Sequence, residues 1–206
     1  MNHPEPGPAV TVREALAAAT RAVAGLPDGS PRLEAEVLLS EATGWPRTHL
    51  IAWPERTLDS AARTAFERLV ARRRSGEPLA YIRGRQAFWD LELRVTPDTL
   101  IPRPETELLV EVALPAAGAE SRHRVADLGT GSGAIAAALA RERPHWLVIA
   151  VDRSAAALAV ARANFTELGL SSCLAVRGDW LSPLGTHSLD LILANPPYVP
   201  AGDPHL

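Results

Sequence analysis

With 206 residues, 47% of them apolar, and a net charge of −3, the chain has material for one large domain or two small ones, and no global charge excess points to a nucleic-acid partner. One cysteine excludes a disulfide framework or a cysteine-based zinc site built by this chain alone, and six scattered histidines lack metal-ligand spacing, so no metal is expected. Residues 1–8 carry neither a cationic nor an apolar leader pattern, and no run of about 18 apolar residues occurs, so a soluble, cytoplasmic protein with no membrane partner is the expectation. All 21 basic residues are arginine, which reads as a bias of the source genome.

The first eighty or so residues read as helical. Val12, Leu16, Ala19, Val23 and Leu26 recur at steps of three and four, the signature of one helix face. Ser30-Pro31 offers an N-cap and first turn for a second helix carrying Leu33, Val37 and Leu38 inward. A short helix is expected over 46–53. Asp59 then caps a longer one with Ala62, Phe66, Leu69 and Val70 inward, closed by Gly76 with Pro78 beyond it. The expectation is a small helical bundle forming a domain over 1–83. Arg72-Arg73-Arg74 reads either as a solvated helix end complementing the dipole or as a surface for an acidic partner. Cruder alternation from Phe88 to Val95 predicts a hairpin inside a linker over 84–103. Pro104 starts another helix, which Pro115 is expected to terminate.

From Arg124 onward strand and helix patterns alternate over 125–128, 132–143, 147–151, 154–168, 173–177 and 189–194. Gly169 closes the helix whose Leu158, Ala161, Phe165 and Leu168 face the sheet, and Cys173 falls inside a strand as inert core. Such alternation predicts an α/β domain over 104–206 with a parallel, Rossmann-like sheet.

The chemistry sits at the strand ends. Val125-Ala126-Asp127-Leu128 runs into Gly129-Thr130-Gly131-Ser132-Gly133, and a helix follows. Glycines let the backbone approach a ligand, and the helix N-terminus brings unpaired N–H donors. Gly129, Gly131 and Ala134 also fit the dinucleotide fingerprint, so a nicotinamide or flavin site is an alternative; Asp127 ahead of the first glycine and the third glycine at 133 argue against it. The strand Leu147 to Val151 ends in Asp152, 25 residues beyond Asp127, where a carboxylate can accept bonds from both hydroxyls of a ribose or can simply cap the next helix. The strand from Cys173 to Arg177 leads to the turn Gly178-Asp179-Trp180, whose Trp180 could be core.

The last strand ends in Asn195-Pro196-Pro197-Tyr198. The asparagine side-chain oxygen and the Pro196 carbonyl can together accept both hydrogens of a planar –NH2 group. Prolines cannot donate and stiffen the loop, and Tyr198 offers a stacking face. A stiff proline-rich exit from a strand is the bland alternative.

Five segments in order carry a resemblance. They are Gly76-Glu77-Pro78-Leu79-Ala80-Tyr81-Ile82 with Gly84-Arg85 and Phe88-Trp89, then Ile101-Pro102-Arg103-Pro104-Glu105-Thr106-Glu107, the glycine loop, Gly178-Asp179-Trp180 and Asn195 to Tyr198. From about residue 10 onward the chain resembles the peptide chain release factor glutamine methyltransferases, the PrmC or HemK family of class I S-adenosylmethionine-dependent methyltransferases. The resemblance implies methyl transfer from S-adenosylmethionine to the glutamine amide nitrogen in the Gly-Gly-Gln tip of a translation release factor. It implies that Asp127, Gly129, Thr130, Gly131, Ser132, Gly133, Asp152, Asp179, Trp180 and Asn195 line the cofactor. It further implies that Asn195, Pro196, Pro197 and Tyr198 hold the substrate amide, with Asn195, Pro196 and Tyr198 catalytic. Arg103, Glu105 and Glu107 border the methionine end or the substrate entrance, or are merely a first helical turn.

The family sheet has seven strands and this chain supplies four, so an incomplete chain with an exposed edge strand is expected. Two further readings stay open. One is a methyltransferase acting on an exocyclic amine of adenine or guanine, which would need a basic groove that the sequence lacks. The other is an inactive fragment retaining a helical binding module.

Overall fold

Three-four spacing of apolar residues builds the first of two compact units, Met1–Arg83 and Gly84–Leu206, in a computed structural model that describes residues 10–26, 29–116 and 121–196. Helix α1 (Val12–Val23) begins with a capping box: the Thr11 hydroxyl accepts the Glu14 amide while the Glu14 carboxylate accepts the Thr11 amide. Its buried face is Val12, Ala15, Leu16, Ala19 and Val23. Helix α2 (Pro31–Thr43) lies against it, followed by α3 (Arg47–Ala52), α4 (Ser60–Arg74) and α5 (Leu79–Arg83). Leu16, Leu38, Leu39 and Leu50 are fully buried in the shared core, each stabilising the unit by roughly 2 kcal/mol through apolar burial alone.

Three expectations need correction here. The inward face of α2 is rotated: Ala35, Leu38 and Leu39 face the core, whereas Leu33 is exposed and Val37 half-buried. The rotation brings Glu34 and Glu36 inward, where arginines partner them. Ser30 occupies the N-cap but its side chain makes no capping bond; Pro31 at the first position needs no N–H acceptor. The arginine run is neither a solvated end nor a free basic surface. Arg73 is buried and bonds both oxygens of Glu34 at 2.9 and 3.0 Å, and Arg72 pairs with Glu77. Only Arg74 of the three is left on the exposed side of the helix end. Helix α5 was not anticipated, being too short to display a period.

The second unit opens with a hairpin of β1 (Arg85–Phe88) and β2 (Leu91–Arg94), paired Phe88 to Leu91 around a two-residue turn. Trp89 in that turn has φ 57°, a conformation that tight hairpin turns demand and that bulky residues seldom adopt. The hairpin thus starts three residues before the expected Phe88. Its Phe88, Leu91 and Leu93 are part of the α/β core. Pro104–Thr106 forms a 3-10 turn ahead of α6 (Glu107–Ala116), which continues through Pro115 in its last turn instead of stopping there.

Strands β3 (Arg124–Leu128), β4 (Leu147–Asp152), β5 (Cys173–Arg177) and β6 (Leu191–Ala194) form one parallel sheet in the order β5-β4-β3-β6. Helices α7 (Ala134–Glu142) and α8 (Ala155–Glu167) connect the first three strands. The alanine-rich α7 is buried from Ala134 to Ala140, and β3 and β4 are largely buried apolar runs, whereas Leu174 on β5 and Ile192 on β6 are about half exposed. The chain leaves β3 toward β4 on one side, while β6 adds on the other. A crevice therefore opens between the carboxyl ends of β3 and β6, the place where open α/β sheets take their ligands. Cys173 is partly buried on β5, and its thiol is pushed up to about 12, mainly by burial and further by Asp127, in keeping with an inert residue. Among the described residues, no helix is long and apolar enough to cross a membrane and no metal-binding cluster of His, Cys, Asp or Glu occurs.

Candidate active site

Strand register sets the level of every candidate residue. Leu128 pairs with Val151 on one side and Ala194 on the other, so Gly129, Asp152 and Asn195 all fall one step beyond, at the same height of the crevice. Asp152 in turn pairs with Arg177, which places Gly178 next in line.

The glycine loop is held almost entirely by backbone. The amides of Gly129 and Thr130 both donate to the Val151 carbonyl, at 2.9 and 3.0 Å, and Gly133 N–H donates to the Thr130 carbonyl at 2.8 Å. Gly129 and Gly131 have φ of 72° and 56°, the left-handed region where side chains are strained. A β-carbon at either would meet no heavy atom within 4 Å, so the backbone there faces open space. Gly133 has a different duty. A β-carbon there would lie 2.7 Å from the Phe165 ring, so this glycine lets α7 sit close against α8. Thr130 and Ser132 are buried, leaving the loop's open surface to backbone.

Asp127 organises this loop from beneath. It is 1% exposed, and its Oδ2 accepts the Thr130 hydroxyl at 2.6 Å and the Ala136 amide at 3.3 Å. The N-cap of α7 is Gly133, which has no side chain to cap with, so the strand-borne carboxylate performs that task. Burial pushes its pKa up to about 6, with the charge of Asp152 adding, against the lowering influence of the two hydrogen bonds. Its Oδ1 is buried without a hydrogen-bond partner among the described residues.

Asp152 is half-buried at the end of β4. Its Oδ2 accepts the Gly131 amide at 3.0 Å and its Oδ1 the Ser154 amide at 2.9 Å. The helix-capping alternative is removed, because the N-cap of α8 is Ser154, whose hydroxyl accepts from Ala157. Each carboxylate oxygen retains a free lone pair beyond these bonds, enough to receive a diol. At the next strand end, Trp180 is 54% exposed with φ 50°, so it is not core. Asp179 is exposed beside it, while Gly178 N–H donates to the Asp152 carbonyl. A β-carbon on Gly178 would strike Pro183 at 2.4 Å, which explains that glycine.

On the other side of the crevice, Asn195 Nδ2 donates to the Thr106 hydroxyl at 2.9 Å. With the amide nitrogen engaged there, the Oδ1 acceptor is what the side chain presents elsewhere. Pro196 is exposed next to it; Pro197 and Tyr198 lie outside the described residues. Thr106 went unnoticed in the sequence because only the charged members of its segment attracted attention. Among those, Glu107 is structural: its Oε1 accepts the Trp89 amide at 2.8 Å, and the Trp89 indole donates to Glu142. Arg103 and Glu105 are exposed.

The residues suit S-adenosylmethionine better than a dinucleotide. An open glycine backbone, a diol-competent carboxylate and an exposed tryptophan line one strand-end row, and the helix N-terminus that would meet a pyrophosphate is already occupied by buried Asp127.

Comparison with known proteins gives the family. The PrmC N-terminal domain family matches residues 14–84, and the methyltransferase small domain family matches 104–204. The chain is 53% identical over 182 residues to the release factor glutamine methyltransferase of Pseudomonas aeruginosa, covering 88% of this chain and 66% of that protein. It is 46% identical over 198 residues to the same enzyme of Vibrio cholerae, covering 96% and 69% respectively. Among solved structures, the N-terminal domain of human METTL16 in complex with SAH aligns with a TM-score of 0.42 and 21% identity, over 53% of this chain and 47% of that one. The chain spans about two thirds of the length of the curated relatives it matches, from 62% to 69% for the Shewanella oneidensis and Vibrio cholerae proteins. With both family segments in order and a near-half identity sustained across almost the whole sequence, the chain belongs to the release factor glutamine methyltransferase family.

Proposed function

We propose that this chain carries the cofactor site and the amide-holding site of an enzyme that methylates the side-chain amide nitrogen of the Gly-Gly-Gln glutamine in peptide chain release factors. The observation that carries the reading is the level placement of Asn195, at the end of β6, beside the open glycine loop at the end of β3. When bound, S-adenosylmethionine supplies a methyl group on a positively charged sulfur. Gly129 and Gly131 offer it their backbone, Asp152 receives the ribose hydroxyls, and Asp179 and Trp180 border the adenine. Asp127, Thr130, Ser132 and Gly133 serve by holding the loop.

An amide nitrogen is a poor nucleophile because its lone pair is delocalised into the carbonyl. Asn195 Oδ1 and the Pro196 carbonyl accept its two hydrogens, orient the nitrogen and favour the positive charge that builds on it during attack. Pro197 stiffens the loop and Tyr198 stacks on the planar amide. Fixed acceptors do this without a strong base: as the N–C bond forms, the methyl–sulfur bond breaks with its electron pair left on sulfur as a neutral thioether, and the proton that the methylated nitrogen sheds passes to solvent. We assign release-factor recognition to the helical unit over 1–83, with the hairpin over 84–103 as its link to the methyltransferase domain over 104–206, and we place the protein in the cytoplasm, where release factors act.

Mass spectrometry of a release factor incubated with the protein and isotope-labelled S-adenosylmethionine tests the reading. A labelled methyl on the glycine-glycine-glutamine peptide is the expected result. Label on DNA or RNA instead, or no binding of S-adenosylmethionine by calorimetry, would overturn it.

A further inference from the structure

We infer that Thr106 is a positioning residue for Asn195: its hydroxyl takes the asparagine's Nδ2 so that Oδ1 is the atom turned to the substrate amide. The inference rests on the amide-methylation reading and names a residue that acts through the acceptor.

An asparagine amide is ambiguous. One end donates two hydrogens and the other accepts, and a half-turn about the last side-chain bond exchanges them. At a site that must hold an –NH2 group, only one orientation works, because the flipped form would set two donor groups face to face. The productive orientation therefore needs a partner for its donor end. Among the described residues the 2.9 Å bond from Asn195 Nδ2 to Thr106 Oγ1 supplies it, leaving Oδ1 for the substrate, and no other side-chain bond of Asn195 accompanies it there. It also closes a span of 89 positions in sequence, so it fixes the end of β6 to a segment that β6 does not pair with in the sheet.

Thr106 is itself well placed to be a fixed partner. It closes the Pro104–Thr106 turn, where Pro104 restricts the backbone and the Thr106 amide donates to the Arg103 carbonyl at 3.0 Å. The next residue, Glu107, anchors the segment by accepting the Trp89 amide of the hairpin turn, and Val110 one turn later is fully buried. A hydroxyl on such a braced turn holds the amide with little loss of rotamer freedom. Proximity catalysis is sensitive to this kind of support, since a misplacement of about 1 Å costs on the order of 100-fold in rate.

The test compares Thr106→Val, which keeps the shape and removes the hydroxyl, with Thr106→Ser, which keeps the hydroxyl. Two readouts are taken on the protein with S-adenosylmethionine. The first is the side-chain NH2 resonance of Asn195 in nitrogen-15 NMR, assigned by its loss in Asn195→Ala. One of its two hydrogens should be shifted and slow to exchange, changed in Thr106→Val and retained in Thr106→Ser. The second is release-factor methylation, where Thr106→Val should lower kcat about 10- to 100-fold with the KM for S-adenosylmethionine unchanged, and Thr106→Ser should restore most of it. An Asn195 resonance indifferent to Thr106→Val overturns the inference whatever the activity. A resonance that responds, in a protein that methylates no glutamine, leaves the bond standing and sinks the functional reading instead. Should Thr106→Val act only by unfolding, its melting temperature would fall and Thr106→Ser would fall with it, which also counts against the inference.

Discussion

The two sides of the crevice are built on different terms. The cofactor side is over-determined: two amides share the Val151 carbonyl, Asp152 takes the Gly131 amide, and Asp127 ties loop to helix from below. Among the described residues, the acceptor side shows one side-chain bond, between Asn195 and Thr106. Backbone networks tolerate the loss of any single member, whereas a lone bond concentrates the effect of a change at one residue. Mutations should therefore separate sharply into those that remove chemistry and those that loosen a scaffold.

The largest effect is expected from Asn195→Ala. Methyl transfer should fall by more than about 100-fold, the loss typical of deleting a single group that stabilises developing charge, while affinity for S-adenosylmethionine changes little. Single-turnover kinetics beside calorimetry reads both, and a variant that turns over normally would remove Asn195 from its role. Next comes Gly133→Ala, which combines a positive φ of 84° with a β-carbon 2.7 Å from Phe165. A loss of about 2–4 kcal/mol in a denaturant melt is expected. The same substitution at Gly129 or Gly131, where space is open, should cost only the backbone strain of about 1 kcal/mol.

Asp127 sharpens the contrast through pH. Its folded pKa of about 6 lies above the ordinary 3.8, so the folded state holds this proton more tightly than the unfolded chain. The resulting stability is complete below the unfolded value and is lost as pH rises through about 6. Asp127→Asn should abolish that dependence. The stability of the wild type relative to the variant should fall by up to about 3 kcal/mol between pH 4 and 7, as measured by paired melts. A flat difference would mean that the carboxylate is not desolvated as its burial indicates. Asp152→Asn keeps one acceptor and loses the charge; affinity for S-adenosylmethionine should weaken about 10-fold by calorimetry, the worth of about one good hydrogen bond.

Much of this organisation was legible in the residues. The alternation of apolar runs and helical spacing located every strand of the parallel sheet, because each strand is a short aliphatic run, even on β5 and β6 where Leu174 and Ile192 stay exposed. The glycine loop and Asp152 were legible because a tight turn after a strand restricts residue type. What escaped were facts settled by distance across the fold. Nothing local distinguishes Thr106 from any other threonine, since its partner lies 89 residues away, and Arg73 reads as one of three exposed arginines until Glu34 arrives from another helix. The rotation of α2 had the same origin: Leu33 and Val37 fit a helical stripe, but the stripe that packs is Ala35, Leu38 and Leu39, with Glu34 and Glu36 beside it paired to arginines. Trp180 was undecidable because an aromatic at a strand end serves equally as core or as a ligand face, and only its exposure separates the two.

The bond between Asn195 and Thr106 has a consequence for how the protein comes into being. The glycine loop and Asp152 form a local structure once β3, α7 and β4 have left the ribosome, with Asp179 and Trp180 following after β5. The acceptor cannot be set until β6 emerges and returns past β4 to dock beside β3, a closure of high sequence separation that small domains make late and slowly. The chain thus lays down the donor-side loop before the acceptor, so synthesis itself orders the two halves of the site in time.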